Sequence, residues 1–152
     1  MAGQNCRAIG NYSAALGNET TASGLYSLAT GSKSTASGTS SRAEGAHTIA
    51  SGHYSHAEGY QTRTGGNYQH VSGTYNIGRA TTLFEVGNGS TEEERSNAFE
   101  VYKDGRAKSY VDIKTITLED NDLVPVAYMK QYIKEHFTEL MNEYLAENNT
   151  TY

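Results

Sequence analysis

The chain has no tryptophan, one cysteine (Cys6) and one proline (Pro125) among its 152 residues. A lone Cys6 excludes an internal disulfide, so nothing marks an oxidising compartment. Hydrophobic residues make up only 36%, which is thin for the core of a compact monomer. No window approaches the roughly 18 apolar residues of a membrane span, and the start, "MAGQNCRAIG", lacks the basic and apolar regions of a signal peptide. The sequence therefore predicts no membrane insertion and synthesis in a cytoplasm. Clustered Lys and Arg are also missing, and at a net charge of −5 no nucleic-acid partner is expected. Aspartate is confined to Asp104, Asp112, Asp120 and Asp122, which excludes a calcium roll built on nonapeptide aspartates.

What is present is periodic. Glycine stands at 10, 17, 24, 31, 38, 45, 52, 59, 66 and 73, ten times at a spacing of seven. Two residues before each comes Ala, from Ala8 to Ala57, then Thr64 and Val71. Three residues after each comes Ser or Thr, from Ser13 to Thr62, then Gln69 and Asn76. Tyr12, Tyr26, Tyr54 and Tyr68 add a period of fourteen, with Ser40 in the one gap. The unit is thus fourteen residues made of two similar halves.

A coiled coil needs large apolar residues at two positions per heptad, and these positions hold Ala, Gly and Ser or Thr. Glycine every seventh residue would also destabilise a helix. A solenoid of short strands fits better, with a turn at each glycine and the small Ala filling a narrow interior. Five coils are expected between Ala8 and Ile77, each adding about 4.8 Å. Such repeats bury little apolar surface alone and need neighbours, caps or partners.

The runs "NYSAALGNETTASGLYSLATGSKSTASG" and "TIASGHYSHAEGYQT" resemble the head repeats of trimeric autotransporter adhesins. The resemblance implies an all-β fold with a left-handed parallel β-roll, two strands per coil, assembled as a homotrimer. Those adhesins also carry a signal peptide, a long stalk and a membrane barrel, which this sequence does not show. "SHAEG"-type repeats followed by "FEVGNGSTEEERSNAFEVYKDGRA" are also similar to fibre and appendage proteins of phages and prophages. The family pattern implies that the residues flanking alternate alanines face the threefold axis: Ala14 with Leu16, Leu28 with Thr30, Arg42 with Glu44, His56 with Glu58, and His70 with Ser72. Leu16 and Leu28 would form an apolar section of the axis, and Arg42, Glu44, His56, Glu58 and His70 a polar network.

From Arg79 the heptad stops. Residues 79–118 alternate apolar and polar in short runs, separated by Asn88-Gly89 and by a two-residue hairpin turn at Asp104-Gly105. This predicts a small β-region, interleaved between chains, with Glu92, Glu93 and Glu94 at a solvated loop tip. Residues 119–152 contain a helix from about Pro125, a residue suited to a first helical turn. Met129, Ile133, Phe137, Leu140 and Tyr144 share one helix face, which reads as a trimerisation or docking surface. Residues 1–78 form the repeat domain, with four basic and three acidic side chains, against eight and fourteen in the remainder.

No P-loop, dinucleotide fingerprint, CxxC pair or nucleophile elbow is present, and the repeat itself accounts for the many serines. No catalytic residue, enzyme activity or cofactor is expected. His56 and His70 lie fourteen apart and stack in one column, making them the only candidate metal ligands; the simpler reading is hydrogen bonding to Glu58 or tyrosines. The tyrosine column reads as candidate surface-binding aromatics or as a stiffening stripe.

The leading expectation is a non-enzymatic fibre or appendage at the surface of a phage-like virion, made in the host cytoplasm. Its partners would be its own copies, other virion proteins and a host-surface glycan or protein. The alternative is the head of a secreted bacterial trimeric adhesin. An ice-binding solenoid needs a regular threonine face, which Thr21, Thr35, Ile49 and Arg63 break. A capsule depolymerase needs a carboxylate-lined groove, which this sequence does not supply.

Overall fold

A computed structural model describes residues 2–110 and 126–148; Asp112, Asp120, Asp122 and Pro125 lie outside them, as do the side chains of residues 126–128, Leu140 and Asn148. Residues 1–108 form one compact unit and 109–152 a second. The strands, in chain order, are β1 (Ala2–Gln4), β2 (Arg7–Ala8), β3 (Ala14–Asn18), β4 (Thr21–Ala22), β5 (Leu28–Ser32), β6 (Thr35–Ala36) and β7 (Arg42–Ala46). They continue with β8 (Ile49–Ala50), β9 (His56–Tyr60), β10 (His70–Thr74), β11 (Thr82–Asn88), β12 (Asn97–Tyr102) and β13 (Ala107–Ser109). Two sheets result: the long strands in the order β1-β3-β5-β7-β9-β10-β11-β12-β13, and the two-residue strands as β2-β4-β6-β8.

This is the expected parallel roll of fourteen-residue coils. Ala15 pairs with Ala29, Ala29 with Ala43, and Ala43 with Ala57, each parallel and fourteen residues on. In the short sheet Ala8, Ala22, Ala36 and Ala50 stack in the same way. From Ala15 to Ala57 every repeat alanine is fully buried, and so is Val71. The serine and threonine column faces inward as well: Thr20, Ser34, Thr48 and Thr62 are fully buried. Ser34 donates to the Gly45 carbonyl at 3.1 Å and Thr62 to the Glu58 carbonyl at 3.0 Å. A core of alanine and small hydroxyl residues explains how the chain folds on so little hydrophobic content.

The glycines do not sit at the turn apex. A Cβ on Gly31 would lie 2.0 Å from the carbonyl oxygen of Gly45, and one on Gly24 2.0 Å from that of Gly38, far inside van der Waals contact. Glycine is required because adjacent coils touch backbone to backbone there, and at every second position, from Gly17 to Gly73, also because φ is 88° to 119°. The left-handed corner falls two residues later, where every seventh residue from Asn5 to Tyr75 is a non-glycine with φ between 41° and 61°. These corners accept side chains despite a cost of about 1–2 kcal/mol each for a residue with a Cβ, and so carry Tyr12, Tyr26, Tyr54 and Tyr68 outward.

The roll is longer than the heptad motif at both ends. β1 pairs with β3 before Ala8, and β11 stacks parallel on β10, with His70 opposite Phe84 and Gly73 opposite Gly87. Glu85 falls opposite Val71, at the end of the buried alanine column. Its carboxylate is fully buried and accepts from Gly78 N, Arg79 N, Asn76 Nδ2, Thr82 Oγ1 and Gln69 Nε2 at 2.7 to 3.1 Å. β12 then returns antiparallel along β11, bringing the buried Glu100 to Arg79 Nε at 2.9 Å, Asn97 Nδ2 at 2.6 Å and the Tyr102 hydroxyl. Buried carboxylates are tolerated only with such partners. The places where the motif breaks, at Gln69, Val71 and Asn76, therefore belong to an end closure.

The hairpin after β12 has a three-residue loop, not two: Gly105 N donates to the Tyr102 carbonyl at 3.0 Å and Tyr102 N to the Arg106 carbonyl at 2.8 Å. Gly105 takes φ 87° there, the glycine bulge common to such loops. In the second unit α1 (Val126–Asn148) is a 23-residue helix. Among the described residues no helix is long and apolar enough to cross a membrane.

The glycine contacts make a direct prediction. A Cβ at Gly45 would meet the Gly59 carbonyl oxygen at 2.1 Å, whereas one at Gly105 meets nothing within 4 Å. Gly45→Ala should lose more than about 4 kcal/mol or fail to fold, and Gly105→Ala should lose about 1–2 kcal/mol from its positive φ alone. Circular dichroism melts of the two variants measure the difference.

Candidate functional site

In a strand, residues on either side of a buried one point to the opposite face. The strands β3, β5, β7 and β9 bury the alanine at their second position, and β10 buries Val71 there, so each presents the flanking pair outward. The register then aligns Leu28, Arg42, His56 and His70 in one column, and Leu16, Thr30, Glu44 and Glu58 in the next. Leu16 is 41% exposed, and Leu28 is partly exposed beside the buried Ala29.

The structure brings the five polar residues of these columns together. An Arg42 Nη2 donates to Glu44 Oε1 at 2.5 Å within one strand. The histidines pair diagonally, one rung back: His56 Nε2 lies 3.1 Å from Glu44 Oε2, and His70 Nε2 lies 3.3 Å from Glu58 Oε1. The sequence spacing suggests His56 with Glu58 in the same strand; in the structure His56 instead reaches Glu44 on the preceding strand, and Glu58 is taken by His70. The two imidazoles stack at 4.7 Å, and His70 meets Phe84 edge-on at 5.4 Å. The Arg42 hydrogen bond, assisted by the one to His56, holds the Glu44 carboxyl below its ordinary value of 4.5, against an opposing effect of partial burial.

At the corner of the roll the tyrosines form two stacked pairs. Tyr12 and Tyr26 lie 5.1 Å apart at 13°, and Tyr54 and Tyr68 lie 5.5 Å apart at 2°. All four are more than half exposed, and Ser40 divides the pairs. Beside the second pair is an open cavity of about 260 Å³ lined by Thr39, His53, Tyr54, Asn67 and Tyr68. His53 is held there by hydrogen bonds along its column, accepting from Thr39 N at 3.1 Å and donating its own N–H to Asn67 Oδ1 at 2.9 Å.

The acidic loop tip is exposed but not free. Glu92 bonds Arg95 at 2.6 Å and Arg63 at 3.2 Å, and the Arg95 guanidinium also donates to the Gln61 and Asn76 carbonyls. That arginine clamp was not legible, since nothing in the sequence links residue 95 to 61. On α1, Met129, Ile133, Phe137 and Tyr144 are 45%, 46%, 58% and 61% exposed. Their shared face is unburied within the described chain, and Leu140 falls outside the described side chains.

Because Glu44 is held below its ordinary value, its contribution to stability is present above pH 4.5 and is lost as pH falls through the lower folded value. Arg42→Ala should raise the Glu44 titration midpoint toward 4.5, read by carboxyl carbon NMR. It should also lower the melting temperature more than Lys33→Ala does, because Lys33 and Glu19 are half exposed and 4.0 Å apart, a geometry that contributes little.

Residues 8–34 and 29–55 each match the YadA head domain repeat. No curated protein and no solved structure matches the chain. The two family matches overlap and cover residues 8–55, the section that contains the alanine columns up to Ala50, the first tyrosine pair and the Arg42–Glu44 rung. They agree with the roll itself: residues 8–55 are similar to the repeats of YadA-type adhesin heads.

Proposed function

We propose that the chain is a non-enzymatic attachment module, a homotrimeric adhesin-type head whose roll displays side chains for surface binding. The observation that carries this reading is the match of residues 8–55 to the YadA head domain repeat, on a roll whose core is backbone, alanine and hydroxyl groups. Such a core leaves the outward columns free to vary without disturbing the fold. Adhesin heads of this type act as trimers at an exposed surface, which supports the same arrangement here.

The column Ala14–Leu16, Leu28–Thr30, Arg42–Glu44, His56–Glu58 and His70–Ser72 is the proposed threefold face. Leu16 and Leu28 supply apolar contact near one end. Arg42 and Glu44 supply a ring of charge-assisted hydrogen bonds, which fixes register more than it adds stability. The apolar face of α1 supplies a second self-association surface, because a lone helix of this length is marginal in water. The exposed tyrosine pairs are the proposed ligand-binding flank, with a host-surface glycan or protein as the target.

The phage-like virion expectation draws on "SHAEG"-type repeats followed by the segment from Phe84 to Ala107. In the structure that stretch holds the end closure of the roll, through β11, β12 and the Glu85 and Glu100 networks. It has a structural task that requires no virion, and the repeat match favours the adhesin setting. A parent gene with a signal sequence and membrane anchor would place it there directly.

Light scattering of the purified chain should report about three times 16.5 kDa, and a monomeric mass would refute the assembly. On glycan and extracellular-matrix arrays, Tyr54→Ala with Tyr68→Ala should reduce binding at least tenfold while leaving the mass unchanged. Binding equal to that of the unmodified chain would remove the tyrosine flank from the proposal.

A further inference from the structure

The histidine and glutamate rungs form a ligand set as well as an ion-pair ladder. One ligand atom from each of Glu44, His56 and Glu58 can be chosen so that all lie within 4.8 Å of one another. The three side chains come from β7 and β9, and His70 on β10 adds a second imidazole whose Nε2 is 3.3 Å from Glu58 Oε1. We propose that Glu44, His56 and Glu58, with His70 in the fourth position, bind a divalent transition ion such as Zn²⁺ on the face of the roll.

Three features of the arrangement carry this. The first is distance. Tetrahedral zinc holds its nitrogen and oxygen ligands at about 2.0–2.2 Å, which puts neighbouring ligand atoms about 3.4 Å apart. The observed Nε2 to Oε separations of 3.1 and 3.3 Å already fall there, and the widest gap within the Glu44, His56, Glu58 trio needs to close by little over 1 Å. The second is charge. Glu44 and Glu58 are register partners on adjacent parallel strands, where like charges face each other unfavourably. Among the described residues Arg42 is the one guanidinium or ammonium that contacts them, committed to Glu44 Oε1, while His56 and His70 each reach a single carboxylate oxygen. A dication between the carboxylates relieves the repulsion that one guanidinium leaves. The third is donor type. Two imidazoles and two carboxylates suit zinc and its neighbours, whereas calcium and magnesium take oxygen ligands.

The side chains are partly exposed, from 28% for Glu44 to 44% for Glu58, so an ion reaches them without opening the roll. Bound there it joins three consecutive coils through β7, β9 and β10. The ion would act as a staple across strands otherwise linked by ladder hydrogen bonds, small buried side chains and the single His–Glu contact at each rung. All four ligand residues come from one chain, so the site needs no residue of a second copy, although its columns are also those of the proposed threefold face.

The test uses the full chain without an affinity tag, stripped by chelator and titrated with Co²⁺ as a spectroscopic probe and then with Zn²⁺. One Co²⁺ per chain with the visible absorption of a tetrahedral site is expected, displaced by Zn²⁺, together with a rise in melting temperature when Zn²⁺ is added. His56→Gln keeps an amide donor facing Glu44 but removes the metal ligand, and should weaken binding at least tenfold. Glu58→Gln should do the same and carries the comparison if the first variant does not fold, as judged by circular dichroism. Lys33→Ala should bind as the unmodified chain does. Absence of the cobalt band, or equal affinity in the folded His56→Gln or Glu58→Gln variant, overturns the site.

Discussion

Adjacent coils of this roll touch through bare backbone, and the rest of the molecule depends on that contact. With Gly31 packed so that a Cβ would stand 2.0 Å from the Gly45 carbonyl, the spacing at each glycine column admits no other residue. The alanine column follows from the same tightness, since a roll drawn in this far has no room for leucine. A core this small yields little hydrophobic stabilisation per coil. Stability therefore comes from the ladder of parallel hydrogen bonds, repeated coil after coil, and from whatever covers the flanks and ends.

This division leaves the outward positions unconstrained by the fold. The corner residues tolerate tyrosine, serine, lysine, glutamate or glutamine at one and the same φ, and the flanking columns shift from leucine to arginine, glutamate and histidine along the length. A scaffold whose interior is nearly invariant and whose exterior varies freely suits surface recognition. The ends are a different problem. Where the alanine column terminates, Glu85 takes its place and collects five donors, converting the last coil into a polar plug that needs no hydrophobic lid.

Much of this was readable from the residues. Glycine and alanine in strict register, with no large apolar residue beside them, left few alternatives to a narrow roll, and the fourteen-residue tyrosine period marked the full coil. The extension through β11 was hidden because Phe84, Glu85 and Val86 keep the fourteen-residue spacing while abandoning the motif. The true corner was hidden because glycine is the usual residue for a left-handed turn, yet here the glycines sit where coils crowd backbone to backbone, half of them at positive φ themselves, and the corner goes to Tyr12 and its equivalents. The diagonal pairing of His56 with Glu44 could not be read from one strand alone, since it depends on how adjacent coils are offset. The buried Glu100 and the Arg95 clamp depend on β12 and its loop folding back, which no local pattern announces.

The proposed face and the proposed staple lie on the same outward columns, so the orientation of those columns between chains is the central claim. Spin labels placed singly at Leu28 and at Thr35, on the two opposite sheets, give that orientation through dipolar distances between chains. If the long-strand columns line a threefold axis, labels at Leu28 will be close together and those at Thr35 far apart. The reverse order, or no coupling between chains at either position, would contradict the account.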